Sequence, residues 1–350
     1  MAFVAALEQC WPPFVLVAGL LLIGLIAGGD GLFAAAANRL ERLPGSSLAL
    51  FAACCLVIAV TTALLNLDTA AVFVTPVVIE TAARRGTGQA PFLYGALFMA
   101  NASSLYLPGS NLTNLLVLSS HGISGGAFFV KMLPAALAGS IVTAAGLAAL
   151  HRGSLRRRPA RAPSANHALR VGVGLASVVA AAVLVVTLRN AALPVFAIGV
   201  VAALLRLSQR RVSRAELRQR LGAPVLLALF GLAVALGTLT RATGFPGHAV
   251  ASLSAPATAA VAALASVIVN NLPAAVLLSA NHPAHPMALL VGLNIGPNLA
   301  VGGSLSAFLW WRAARGAGAH PSVLSCSRQG VVLAPLAIAA AVGLLAALGS

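Results

Sequence analysis

Asp68 lies in Leu64-Leu65-Asn66-Leu67-Asp68-Thr69-Ala70-Ala71-Val72, an acidic residue in a run that otherwise belongs in lipid. A later apolar region carries a neutral echo of it, Val269-Asn270-Asn271-Leu272-Pro273-Ala274-Ala275-Val276. An ionisable side chain at membrane depth is costly and marks a functional site by default. A carboxyl that titrates near working pH is the simplest carrier of a proton or sodium ion. The structural alternative is a helix cap, because Asp is a good N-cap and Asp68 begins the stretch after the interruption. Asn66, Asn270 and Asn271 add amide donors and acceptors at the two interruptions, either for a solute or for the loop backbone.

Two further interruptions are polar as well: Pro108-Gly109-Ser110-Asn111-Leu112-Thr113-Asn114, and Gly296-Pro297-Asn298-Leu299 followed by Gly302-Gly303-Ser304. Proline removes a backbone donor and glycine loosens a helix, so both read as broken spans. The polar side chains of the four interruptions, with Asp68, predict one cage: Asn66, Thr69, Ser110, Asn111, Thr113, Asn114, Asn270, Asn271, Asn298 and Ser304. Matching interruptions in two halves of a chain point to a transporter binding site at the interface of a repeat.

The elements that must position these residues are helices in a bilayer. Sixty per cent of the 350 residues are hydrophobic, 8% are charged, and mean hydropathy is +0.97. A soluble domain does not bury that much apolar surface, and the long Ala, Gly, Leu and Val runs argue against a barrel of alternating strands. The apolar segments are 13–28, 47–83, 91–119, 127–150, 171–188, 192–207, 222–240, 248–280, 287–311 and 330–348. Segments 47–83 and 248–280 are too long for one span and are broken at their centres, so each is predicted to be a re-entrant hairpin. Irregular backbone at that depth must be covered by protein or line a watery cavity.

The order helix, hairpin, broken helix, helix then occurs twice. The expected domains are a first repeat over 1–150, a basic linker over 151–170, and a second repeat over 171–350. The last of these has two additional helices, 171–188 and 192–207, with no counterparts in the first. Either the scaffold is shorter in this chain or the start omits two helices. With the hairpins returning to their own sides and the broken segments crossing, one face collects 19 of the 22 basic residues. The other has Lys131, Arg189 and Arg241. The basic face is therefore expected to be cytoplasmic, in a multi-pass protein of the cell membrane. The pI near 11.8 reflects this bias rather than nucleic-acid binding. Hairpin 47–83 is expected to open to the cytoplasm and hairpin 248–280 to the exterior.

Other residues carry less. Cys10, Cys54, Cys55 and Cys326 lack metal or redox spacing, and Cys54 and Cys55 point about 100° apart on a helix, so all four read as small apolar residues. Glu80 is four residues before Arg84, the spacing of a helical ion pair. His121, His248, His282 and His285 fall in loops, and Trp310 and Trp311 read as interfacial anchors. An intramembrane hydrolase would need a second carboxylate, a Ser/His pair or a metal cluster beside Asp68, and none is placed there.

The stretch Leu65 to Pro76, together with Leu107-Pro108-Gly109-Ser110-Asn111-Leu112-Thr113-Asn114-Leu115, Val269 to Ala274, and Asn294-Ile295-Gly296-Pro297-Asn298-Leu299, resembles the motifs of arsenite permeases. These belong to the ion transporter superfamily, with sodium/proton antiporters and citrate and dicarboxylate carriers. The resemblance implies an all-α polytopic carrier of the elevator type, with an inverted-topology repeat of two re-entrant hairpins and two broken helices. It further implies arsenite or antimonite efflux against protons, no cofactor, a homodimer and a cytoplasmic ATPase partner. The family commonly continues Gly-Pro-Asn-Leu with Thr, where this chain has Ala300, and it usually has extra N-terminal scaffold helices. The amide and hydroxyl cage without Arg or Lys favours a neutral solute or a cation. The alternatives are sodium/proton exchange, carboxylate transport, or a non-transporting accessory subunit.

Overall fold

The computed structural model describes residues 1–119, 122–156, 172–215, 217, 222–244, 250–280 and 283–348. The expected linker from residue 157 to 170, Arg218, Arg220, His121, His248 and His282 lie outside them. Every described element is a helix.

Helix α1 (Ala2–Gly29) begins eleven residues before the predicted span and runs through Pro12 and Pro13. Its early polar residue Gln9 is buried because it is bonded, donating to the Leu116 carbonyl at 3.0 Å and accepting from Arg241. Gly31, at φ +88°, turns the chain into the amphipathic α2 (Leu32–Glu41), which apolar-run reading did not separate from a loop.

The first hairpin comprises α3 (Ser47–Leu64), α4 (Leu67–Thr69), a π-helical turn at Ala70–Val74 and α5 (Thr75–Arg84). Pro76 has no N–H for the Val72 carbonyl, and the widened turn falls just before it. The two ends of the segment meet. Arg85 donates to the backbone carbonyls of Glu41 and Leu43, and Arg84 pairs with the Glu41 carboxylate at 3.2 Å. The chain thus leaves where it entered. The sequence-spaced partner Glu80 is the longer contact of Arg84, at 3.8 Å.

The first broken helix is α6 (Ala90–Ser103), a 3-10 turn at Pro108–Ser110, and α7 (Leu112–Leu118). Then follow α8 (Gly125–Leu150), capped by Ser124, and the short α9 (Arg152–Leu155). The two extra helices are α10 (Val173–Thr187) and α11 (Ala192–Ser208). The second run repeats the first: α12 (Ala223–Thr243), a hairpin of α13 (Ala255–Val269) and α14 (Asn271–Ser279), then α15 (Pro286–Ile295), 3-10 turns at Gly296–Leu299 and Val301–Gly303, α16 (Leu305–Gly316), and α17 (Val323–Ala347).

The halves interlock crosswise. Each hairpin's first leg packs on the first part of its own broken helix, α3 on α6 and α13 on α15. Each second leg packs on the later part of the other half's broken helix, α5 and the π turn on α16, and α14 on α7. Helices α8 and α17 pair with each other.

The extra helices α10 and α11 lie on α1. Gly19 and Gly199 let α1 and α11 approach so closely that a Cβ on either would fall within 3 Å of the opposing backbone. A buried ion pair fixes the arrangement: Arg206 of α11 meets Asp30, which also accepts from the Gly174 amide at 2.8 Å. With this cover 72% of the most apolar window of α1 is buried, against 22% for its counterpart α12.

Trp310 departs from the interfacial reading. It is fully buried and donates its indole N–H to the Leu93 carbonyl at 2.9 Å, because α16 turns inward against α6; Trp311, half-buried, packs edge-on against it. The described cysteines are free and buried, as their apolar reading requires.

Candidate functional site in the hairpin tips and helix breaks

At the first tip, Asn66 rather than Asp68 is the cap. Its side-chain oxygen accepts from the Thr69 amide at 2.7 Å. This leaves Asp68 inside the first turn, half-buried, with no donor or cation bonded to its carboxylate among the described residues. The second tip uses the same device, with the Asn270 oxygen accepting from the Leu272 amide at 3.4 Å. The two nitrogens differ. That of Asn270 donates to the Gly302 carbonyl at 3.3 Å, whereas that of Asn66 is buried without a partner. Asn271 is buried at the start of α14, and its side chain has no bond among the described residues.

Each break is bonded to its own hairpin. Ser110 accepts from the Leu107 amide and donates to the Ala63 carbonyl at 3.2 Å, joining the first break to the end of α3. The contact from Asn270 to Gly302 is the equivalent in the second half.

The breaks are bonded to each other by amides that belong to the core rather than to an open cage. Asn294 accepts from Asn111 at 2.6 Å and from Ser104 at 2.5 Å, and donates to Asn114 at 2.8 Å and to its own helix at Leu290. Asn101 donates to Asn298 at 2.8 Å, and Asn298 donates to the Phe98 carbonyl. Asn111 also caps α7 through the Thr113 amide, and Ser304 caps α16 through the Ala307 amide while accepting from Ser306 at 2.9 Å. The side-chain groups of Asn111, Asn298 and Ser304 are thus committed to protein. Asn101 is not among the residues the sequence singles out and Asn294 enters only as part of a motif, although each is a polar residue inside an apolar run, the signal that marks Asp68.

The atoms left over define what the site can bind. Asn66 Nδ2, Thr69 Oγ1, Thr113 Oγ1 and Asn101 Oδ1 are buried without partners among the described residues. A buried unpaired polar group costs about 1–3 kcal/mol; Asn66, Thr69 and Thr113 have theirs at the first tip and break and Asn101 on the helix that leads into that break, while others, such as Thr62, Thr75 and Thr143, lie within helices away from the interruptions. Together the first four offer an amide donor, two hydroxyls that give or accept, and an amide acceptor. Among the described residues no Arg or Lys bonds to any of them; Arg84 is used at Glu41, Arg206 at Asp30 and Arg241 at Gln9. No group of three or more His, Cys, Asp or Glu side chains is placed to hold a metal among those residues.

The sequence model of the citrate transporter family (CitMHS) matches residues 3–296, which include both hairpins and the first break. The chain belongs to the citrate transporter family. It is also similar to the "46 kDa membrane protein" of Mycobacterium leprae (strain TN), at 24% identity over an alignment 370 positions long, gaps included, which covers 95% of this chain and 85% of that one. A shorter match is to the silicon efflux transporter LSI3 of Oryza sativa subsp. japonica, 33% identical over 127 residues. That match covers 35% of this chain and about a quarter (26%) of the length of the rice protein. Among solved structures the YdaH transporter of Alcanivorax borkumensis, described as having an unusual topology, superposes with a TM-score of 0.61 at 12% identity, covering 99% of this chain and 87% of that one. This family makes the chain a polytopic membrane transporter, and its first tip and first break carry unpaired polar atoms at Asn66, Thr69 and Thr113.

Proposed function

We propose that this member of the citrate transporter family exports a small uncharged hydroxy acid, arsenite or antimonite in the first place, in exchange for protons taken up by Asp68. The observation that carries the reading is the pairing of an uncompensated carboxylate with unpaired amide and hydroxyl groups, and with no cation, at the first tip and break. Arsenous acid at neutral pH is a neutral trihydroxide. It needs donors and acceptors but no counter-charge, which the residual groups supply. The similarity to a silicon efflux transporter fits the same chemistry, since silicic acid is also a neutral hydroxide.

In this reading Asn66 Nδ2 and the Thr69 and Thr113 hydroxyls contact the solute. Asn270, Ser110, Asn111, Asn298 and Ser304 hold the tips and breaks in place around it, and the unbonded Asn271 side chain is a further contact for it. The arginine-rich face is cytoplasmic, and the two hairpins gate opposite sides in an elevator movement of the hairpins and broken helices against the scaffold.

The family match favours a second reading, transport of a carboxylate such as citrate. A tricarboxylate would then rely on helix N-termini or a co-bound cation for its charge.

Purified protein in proteoliposomes separates the two. Under an imposed pH gradient, arsenite and antimonite should accumulate several-fold over protein-free vesicles, with citrate excluded. Citrate uptake without arsenite movement would replace the first reading with the second. Sodium movement alone would make the protein a sodium/proton exchanger, and no flux of any of them would make it an accessory subunit.

A further inference from the structure

Between α2, the first leg of the first hairpin and α10 lies an apolar trough that plays no part in holding the solute. It consists of two crevices of about 350 and 410 Å³ that share Leu32, Ala36, Leu56 and Val57 as walls and so run into one another. Along α3 its lining follows residues 53, 56, 57, 60, 61 and 64, one helix face over twelve residues, or eleven rises. At 1.5 Å per residue this face is about 16 Å long, close to the ~15 Å depth of one hydrocarbon leaflet. Thr61 is the single polar residue deep in it, which excludes it as a path for a hydrophilic solute.

The two ends differ. At the mouth stands Arg39, an exposed residue lining the trough, with no carboxylate in ion-pair distance among the described residues. The neighbouring acid, Glu41, is buried and engaged by Arg84. At the far end Leu64 and Leu65 close the trough directly beneath Asn66, and Phe33 stacks on Phe73 of the π turn, 5.2 Å apart and 6° from parallel. A partner helix, ~10 Å or more across, is too wide for crevices of this volume.

We infer that the trough is a binding site for an anionic phospholipid, one acyl chain lying along α3 and the phosphate at Arg39. An apolar channel of one-leaflet length with a single unpaired cation at its mouth has the charge and shape of that ligand. Bound there, the chain backs Phe33 against Phe73 and so braces α2 against the turn that follows Asp68.

The test uses a tryptophan at Leu56, which faces both crevices, and brominated lipids at low mole fraction in phosphatidylcholine vesicles. Quenching is read as the difference from the parent protein. Brominated phosphatidylglycerol should quench the Leu56→Trp reporter more strongly than brominated phosphatidylcholine, by an enrichment on the order of fivefold, the factor for one cation against an anionic lipid. Arg39→Gln should remove the enrichment and Arg39→Lys should keep it, while a reporter at Leu336→Trp, on the exposed face of α17, should show none. If Leu56→Trp fails to insert, Val60→Trp reads the same wall. Equal quenching by the two lipids, or enrichment that survives Arg39→Gln, would show bulk-lipid contact only and overturn the inference.

Discussion

Asn66 and Asn270 cap the second legs of their hairpins in the same way, yet the tips they cap are finished differently. Asn270 sits at φ +76°, a left-handed conformation that few non-glycine residues adopt, and its nitrogen is tied to Gly302 of the second break. Asn66 has extended backbone at φ 177°, and its nitrogen is left without a partner. Two residues beyond the cap the first tip has Asp68 and the second has Leu272. The second tip is thus closed onto its own break at a cost in backbone strain, whereas the first keeps its polar groups in reserve. On the proposed function, the second copy of the unit holds position and the first carries the chemistry.

The contrast can be broken most severely at what the halves share. Asn294→Ala strips partners from Asn111 and Asn114 at once, leaving at least two buried polar groups unpaired. At about 1–3 kcal/mol each, the loss is on the order of 4 kcal/mol and should appear as a large drop in thermal unfolding temperature in detergent. An unchanged midpoint would mean that the network is not a strut.

Next in size is a pair of glycines. A Cβ on Gly24 of α1 would lie 2.8 Å from Thr69 Cγ2 and 3.1 Å from its hydroxyl. One on Gly237 of α12 meets Val276 of the other hairpin at an ordinary 3.5 Å; its closer neighbours are the end of Arg241 at 3.0 Å and Ala6 Cβ of α1 at 3.2 Å, neither of them a tip residue. Gly24→Ala should therefore lower transport about tenfold or more and Gly237→Ala less than about threefold, measured as initial flux at matched protein density. The reverse order would place the chemistry in the second half.

The smallest effect distinguishes the caps. Asn66→Ala should cost about 1 kcal/mol of stability, the value of a helix cap. Asn270→Ala leaves an alanine at φ +76° and ψ 151°, a region adopted essentially by glycine, at roughly 1–3 kcal/mol, while Asn270→Gly should be nearly neutral or stabilising. Transport should respond the other way, with Asn66→Ala the more damaging.

Much of this was legible in the sequence. The lengths of 47–83 and 248–280, with Asn at their centres, specify hairpins because a single helix of that length overshoots the bilayer. Pro108, Gly109, Gly296 and Pro297 specify the breaks because they remove or loosen backbone bonds. What a lone sequence does not carry is which amides pair. Asn111 and Asn298 look as open as Asn66 until Asn294 and Asn101 are placed beside them. The first eleven residues of α1 were hidden by Pro12-Pro13, which signals a helix end in water but is tolerated in a membrane helix whose neighbours satisfy the freed groups. Trp310 misled for a related reason: its place near a segment end suits the interface, but the second break turns α16 inward.

The central claim is that proton coupling resides in Asp68, which is neither a cap nor, among the described residues, half of an ion pair. Asp68→Asn is the direct test. In proteoliposomes containing correctly inserted protein, it should abolish solute accumulation driven by a pH gradient while leaving solute–solute exchange at equal pH within about threefold of the unsubstituted protein. Accumulation that still follows the pH gradient in Asp68→Asn would contradict the account.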